Sequence, residues 1–187
     1  MLRHLPHVLS GARIPASLAL VALYDPNSAA RGSLCLTLIL LIIASDVLDG
    51  RIARKYGFQS KFGYMLDGLG DRAFHVASVL LLALPGILAL PLAWVLIFRE
   101  ISQYAVRIVD VDWHSNQSRL DRAITRFYAT VVQSALVIEV IRTLIRPSVP
   151  SWSYVMAINI VLFVAVTLSF SRILPRLLRA WRVAING

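Results

Sequence analysis

Long apolar runs, broken by Pro, Gly and charge clusters, recur along the whole of this 187-residue chain. A run of about 20 apolar residues matches the hydrocarbon core of a bilayer. In that medium the backbone must satisfy its own hydrogen bonds, which a helix does. Six runs can be read: roughly 5–24, closed by Asp25-Pro26-Asn27; 33–54; 62–84, closed by Pro85-Gly86; 88–109; 120–145, closed by Arg146-Pro147; and 152–174, with Pro175 just beyond. The pattern predicts an all-α integral membrane protein of six transmembrane helices, in which residues 1–187 form a single membrane domain. Composition agrees, since only 16% of the residues are charged against roughly 25% in soluble domains. That balance excludes disorder. The net charge of +9 sits between apolar runs rather than on one polar face, so nucleic acid is not an expected partner. The lone Cys35 falls in an apolar run and reads as a small core residue. The N-terminus lacks the look of a cleavable signal.

Basic residues choose a side. Arg51, Arg54, Lys55, Lys61, Arg107, Arg119, Arg122 and Arg126 flank one set of connections, and the C-terminal tail adds Arg176, Arg179 and Arg182. The opposite loops hold only Arg31, Arg142 and Arg146. The positive-inside rule then places both termini and the 55–61 and 110–119 loops in the cytoplasm.

The chemistry is concentrated between Ser45 and Arg72. Four of the ten acidic residues, Asp46, Asp49, Asp67 and Asp71, lie there, within or at the edge of apolar runs. Each carboxylate at such a depth costs roughly 2.5–3.5 kcal/mol on insertion scales, and four together repel one another, so a positive partner is required. Asp46 and Asp49 are spaced i, i+3 and Asp67 and Asp71 i, i+4, which puts each pair on one helix face. A short loop joins the two runs, so they are expected as antiparallel neighbours whose four carboxylates line one polar cavity on the cytoplasmic side. All-oxygen ligation suits hard cations such as Mg2+, Mn2+ or Ca2+, and two divalent ions would balance four negative charges. Gly50, Gly63, Gly68 and Gly70 are poor helix formers and fit close helix packing or a ligand approaching the backbone. Arg54, one turn beyond Gly50, is suited to hold a phosphate. A plainer reading pairs the aspartates with Arg51, Arg54, Lys55 and Lys61 as interfacial salt bridges. It accounts for the charge but not for the glycines or the spacing.

These residues resemble the CDP-alcohol phosphotransferase family, whose pattern is D-x2-D-G-x2-A-R-x8-G-x3-D-x3-D. Asp46, Asp49-Gly50, Ala53-Arg54, Gly63, Asp67 and Asp71 fill every fixed position. The resemblance implies transfer from a CDP-activated donor to an alcohol with release of CMP. It implies two divalent cations, Mg2+ or Mn2+, held by Asp46, Asp49, Asp67 and Asp71. Arg54 would contact the diphosphate, Gly50, Ala53 and Gly63 would leave room for the cytidine, and Asp71 would also take the acceptor's proton. It further implies a homodimer in the inner, or cytoplasmic, membrane.

The stretch from Leu5 to Ile14, with Arg13 near its end, is similar to the opening of phosphatidylglycerophosphate synthases, and Arg99-Glu100 resembles an Arg-Glu pair in them. Both imply CDP-diacylglycerol as donor and glycerol 3-phosphate as acceptor. Arg107 and Arg126 are the expected cations for the acceptor phosphate. The chain departs from those synthases at Gly68 and Gly70, where Pro and Ala are usual, and at 122–126, where a Lys-rich stretch is usual. Phosphatidylglycerol, inositol phosphate or another polyol therefore stay open as acceptors. A divalent-cation transporter is the reading from another class, and a non-catalytic membrane scaffold a further one. Among the remaining polar residues, Glu100 is expected to pair with Arg99 and Glu139 with Arg142. Asn159 and Thr167 are expected to bond between helices, and His75 to be a hydrogen-bonded packing residue.

Overall fold

The computed structural model describes residues 5–56, 61–109, 118–145 and 150–186. They form six helices, α1 (Leu5–Leu23), α2 (Ala29–Tyr56), α3 (Lys61–Ala83), α4 (Leu90–Val109), α5 (Arg119–Ile145) and α6 (Trp152–Asn186). No strand occurs among the described residues. The loop residues 57–60 and 110–117, and with them Asp110, Asp112 and His114, lie outside the described residues.

Local chemistry explains the boundaries. The Asp25 carboxylate accepts from the Asn27 amide at 3.0 Å, and the Ser28 hydroxyl accepts from the Arg31 amide at 3.4 Å. Ser28 thus caps α2, which begins four residues before the run read from hydropathy. At α5, the Ser118 hydroxyl accepts from the Asp121 amide and the Asp121 carboxylate from the Ser118 amide, at 3.0 and 3.2 Å. This is a reciprocal capping box. Helix α3 ends where the Ile87 amide reaches back to the Leu82 carbonyl at 3.1 Å and Gly86 takes φ +77°, the left-handed turn that glycine adopts without strain. Helix α6 was expected to stop near Pro175 but continues through it to Asn186. A proline removes one amide donor and leaves the others in place, and the residues after it are mostly good helix formers.

The helices close into a ring, α1–α2–α5–α6–α4–α3, and α3 also touches α5 across the middle. Helices α3 and α5 therefore act as a wall between two cores. One core gathers Leu20, Cys35, Ile39, Ile42, Phe74, Leu81, Leu136 and Val140. The other gathers Val79, Leu82, Leu96, Tyr128, Val132, Leu162, Ala165 and Val166. Cys35 is a buried core residue, as read. Many large apolar side chains, among them Leu18, Leu40, Trp94, Phe163 and Trp152, face outward, as they do on a surface that meets lipid.

Among the described residues, three segments are long and apolar enough to cross a membrane: Ala29–Asp49, Arg119–Ile145 and Trp152–Leu178. In α1 the apolar stretch Val8–Leu23 is shorter than a span, and α1, α3 and α4 carry Arg13, Asp67, Asp71, Arg72, Arg99 and Glu100.

Candidate functional site

Helices α2 and α3 do not meet face to face as the short loop suggested. Each packs on α1, which is bridged between them and brings its own polar side chains to the aspartates. The four carboxylates converge on the guanidinium of Arg13. Its Nη1 donates to Asp46 Oδ1 at 2.7 Å and to Asp71 Oδ1 at 2.5 Å. Its Nη2 donates to Asp49 Oδ2 at 2.8 Å and to Asp67 Oδ1 at 2.7 Å. The Ser10 hydroxyl, one turn earlier on α1, donates to the same Asp49 Oδ2 at 2.8 Å. Arg13 and Asp49 form the floor, with side chains 2% and 5% exposed, while Asp46, Asp67 and Asp71 at 53%, 39% and 33% form a mouth open to solvent.

The packing that permits this is tight. A Cβ placed on Gly70 would lie 2.8 Å from the Ser10 carbonyl oxygen and 3.4 Å from the Arg13 side chain. The absence of a side chain at 70 lets the α1 and α3 backbones approach until the Arg13 stem lies along α3. The expectation that glycines here serve close helix packing holds at Gly70. At Gly11 an added Cβ would make an ordinary contact with Leu66, at 3.6 Å.

Among the described side chains, Arg13 is the cation that meets all four aspartates, a residue that the motif contains but that was not expected in the site. Arg51 is exposed on α2. Gly50, Ala53 and Arg54 continue α2 beyond Asp49, and Gly63 sits, half-buried, in the first turn of α3. The side chains of Ala53 and Arg54, and that of Arg107 near the end of α4, lie outside the described residues. Arg126 is exposed on α5, and its Nε turns back to the Arg122 carbonyl at 3.3 Å.

A second buried polar cluster adjoins the quartet. Arg72, next to Asp71, places its Nε 3.1 Å from Glu100 Oε2. Arg99 Nη1 donates to Glu100 Oε1 at 2.6 Å, its Nε and Nη2 reach the Ser169 hydroxyl at 3.0 and 2.8 Å, and its guanidinium stacks 3.9 Å over the Tyr128 ring. The Arg99–Glu100 pairing is as expected. His75 is buried and stacks on Tyr128 at 6.3 Å, but its Nδ1 has no hydrogen-bond partner. It is a packing residue without the hydrogen bond foreseen for it.

At the other end of the bundle Glu139 pairs with Arg142 and accepts from Tyr24 and Tyr154. Asn159, expected to bond to another helix, instead holds the turn between α3 and α4, donating to the Ile87 carbonyl at 2.7 Å and accepting from the Ala89 amide at 2.9 Å. Thr167, likewise expected to bond to another helix, donates only within its own helix, to the Phe163 carbonyl at 2.8 Å, and is exposed. A groove of about 570 Å³ between α4 and α6 is lined by apolar groups such as Leu92, Val95, Phe163 and Phe170. It offers no acid, base or cation and is not the reactive site.

The aspartates suit a metal. Asp46, Asp49 and Asp67 can each offer an oxygen such that all three lie within 4.8 Å of one another. Oxygens around one Mg2+ or Ca2+ stand at most roughly 4–5 Å apart, twice the bond lengths of such ions. The donors are all carboxylate oxygen, the ligand class of hard cations, and their combined charge of −4 exceeds what one guanidinium neutralises.

Comparison with known proteins points the same way. The family model described as CDP-alcohol phosphatidyltransferase matches residues 3–170. A protein of Rickettsia bellii named CDP-diacylglycerol–glycerol-3-phosphate 3-phosphatidyltransferase is 36% identical over 79 residues, which cover 42% of this chain and 44% of the relative. Two Arabidopsis thaliana proteins of that name, numbered 2 and 1, are 31% and 32% identical over 124 residues, covering 61% of this chain and 52% and 40% of their own. The matched stretch spans about two-fifths to one half of these relatives' length. No solved structure matches the chain.

Proposed function

Because the chain belongs to the CDP-alcohol phosphatidyltransferase family, we propose that it transfers a phosphatidyl group from CDP-diacylglycerol to glycerol 3-phosphate, forming phosphatidylglycerophosphate and CMP. The observation that carries this reading is the convergence of Asp46, Asp49, Asp67 and Asp71 from two helices onto one point. The acceptor is supported by the relatives, which are named for glycerol 3-phosphate.

The family is metal-dependent, and the four aspartates would hold the ions, two of Mg2+ or Mn2+ by charge balance. When bound, such ions neutralise charge on the diphosphate and on the departing CMP. The chain's own groups do the rest. Asp71, at the open mouth of the site, takes the proton from the acceptor hydroxyl, as a carboxylate within reach can. The alkoxide oxygen bonds to the β-phosphorus of the donor while the bond from that phosphorus to the bridging oxygen breaks. CMP carries away the bond's electrons, and the proton stays on Asp71. Arg54 holds the diphosphate, Gly50, Ala53 and Gly63 leave space for the cytidine, and Arg107 and Arg126 attract the acceptor's phosphate.

The protein is an integral membrane protein. The distribution of Arg and Lys supports an orientation with both termini and the site on the cytoplasmic face of the inner membrane, where the lipid donor enters from the bilayer and the polar acceptor from the cytosol. The family resemblance supports a homodimer. A cation transporter is less well supported, because the four carboxylates sit at one end and Glu139 at the other is fully engaged by Arg142, Tyr24 and Tyr154.

The test is purified protein in lipid nanodiscs with labelled CDP-diacylglycerol, Mg2+ or Mn2+, and a panel of alcohols. CMP release with glycerol 3-phosphate, and a phosphatidylglycerophosphate product, is the expected result. Release with a different alcohol reassigns the acceptor. No release with any alcohol defeats the assignment.

A further inference from the structure

We propose that Arg13 is the resident cation of the metal-free site, and that divalent ions load by displacing its guanidinium from the aspartates. This rests on the metal-dependent reading above, but it concerns a residue to which that reading gives no role. Arg13 spends its two terminal nitrogens on one oxygen from each of the four aspartates, at 2.5–2.8 Å. A cation bound by the quartet would draw on these carboxylates, and it would stand within a few ångströms of the guanidinium. Two positive charges that close, in a site whose floor is shut off from water, repel strongly. Occupancy by Arg13 and occupancy by metal are therefore alternatives.

The residue type fits the role. A planar guanidinium presents a fork of donors that satisfies several carboxylates at once, which an ammonium does not. It also leaves the job incomplete, because among the described side chains one guanidinium is shared by four carboxylates. That shortfall is what lets a dication compete. Arg13 also has a way to detach. Its Nε makes no hydrogen bond, so the head is held by the carboxylates and not from behind. The stem lies against Gly70, where no side chain obstructs it. Without a resident cation, the newly inserted chain would have to hold four bare carboxylates between its helices until metal arrived.

Exchange makes a prediction opposite to that of a permanent scaffold. If Arg13 must leave, removing it removes a competitor, and the apparent affinity rises by the inverse of the fraction of time the site was free of it. If Arg13 only positions the carboxylates, removing it weakens metal binding. The experiment is Mn2+ titration, read by electron paramagnetic resonance, of EDTA-stripped wild type, Arg13→Gln and Arg13→Lys in nanodiscs. Arg13→Gln should bind Mn2+ on the order of tenfold or more tightly than wild type, and Arg13→Lys should fall between. The thermal midpoint of Arg13→Gln should drop in EDTA and recover toward wild type with Mn2+. Unchanged or weaker Mn2+ binding by Arg13→Gln overturns the exchange.

A measurement on wild type covers the case in which the variants do not fold. Phenylglyoxal modification of Arg13, quantified by peptide mass spectrometry, should be low in EDTA and rise with Mn2+ in the absence of nucleotide. Protection under both conditions in a protein that binds Mn2+ overturns the exchange and leaves the catalytic reading standing. A wild type that binds no Mn2+ removes both.

Discussion

Glu139 offers a clean separation of stability from catalysis. It is fully buried, and its two oxygens accept from Arg142 Nε at 2.9 Å and Nη2 at 2.7 Å, from Tyr154 at 2.9 Å and from Tyr24 at 3.3 Å. The cluster ties the end of α1 to α5 and α6. Tyr24 follows Arg13 by about 16 Å along the helix axis, at 1.5 Å per residue, so the cluster lies well away from the aspartates. Glu139→Leu takes from the half-buried Arg142 cation the carboxylate it pairs with. Breaking a buried ion pair on one side costs about 3–5 kcal/mol. Arg142 keeps 18% of its side-chain exposure and can extend toward water, so the lower end, about 3 kcal/mol, is expected. Replacing both partners removes the stranded charge, a change that is often neutral. The Tyr24 and Tyr154 hydroxyls lose Glu139 in both variants, so their cost cancels in the comparison. Glu139→Leu/Arg142→Leu should therefore recover at least about 1 kcal/mol of what the single variant loses. Unfolding in mixed SDS micelles, followed by tryptophan fluorescence, measures this. CMP release per folded molecule should stay at the wild-type value in both variants. A double variant as unstable as the single one, or a turnover loss in the folded fraction, would refute the argument.

Three further outcomes follow from the site. Asp71→Asn should abolish CMP release while leaving the protein folded, because Arg13 keeps its contacts to Asp46, Asp49 and Asp67 and one repulsive charge is removed; wild-type turnover would remove Asp71 as the base. Arg126→Ala should raise KM for glycerol 3-phosphate several-fold with little effect on that for the CDP-lipid, and unchanged acceptor kinetics would take Arg126 out of the pocket. Glu100→Gln should destabilise the protein by about 3–5 kcal/mol, the cost of a broken buried pair, since it leaves Arg99 and Arg72 uncompensated; an SDS unfolding midpoint equal to that of wild type would show the cluster to be unimportant.

Much of the fold could be read directly from the chain because hydropathy in a membrane protein reports the solvent. Each of the six apolar runs corresponds to a helix, and most boundaries agree within about two residues. The exceptions have local causes. Ser28 caps α2 earlier than its apolar run begins, because a hydroxyl that accepts an amide hydrogen bond starts a helix whether or not the next residues are greasy. Pro175 leaves α6 intact, because one missing amide does not undo a helix whose other bonds remain.

The site was legible in its acids and not in its base. Spacing along one helix puts two carboxylates on one face, a relation internal to the segment, and so Asp46 with Asp49 and Asp67 with Asp71 could be paired from the chain alone. The need for a compensating cation also followed from burial. Its identity did not, because Arg51, Arg54, Lys55 and Lys61 are the cations nearest in sequence. The structure draws it from 33 to 58 residues away, on a helix that intervenes between the two expected to touch. Sequence separation carries no information about such a contact, but insertion energetics does. Arg13 is the one charged residue between Val8 and Leu23, and an arginine in an apolar helix is costly unless it meets an acid. Arg13 has no acid on its own helix, and the acids that can offset it stand on α2 and α3. The need of an arginine in an apolar helix for an acid partner is thus a reason, independent of packing detail, for α1 to dock between the other two helices.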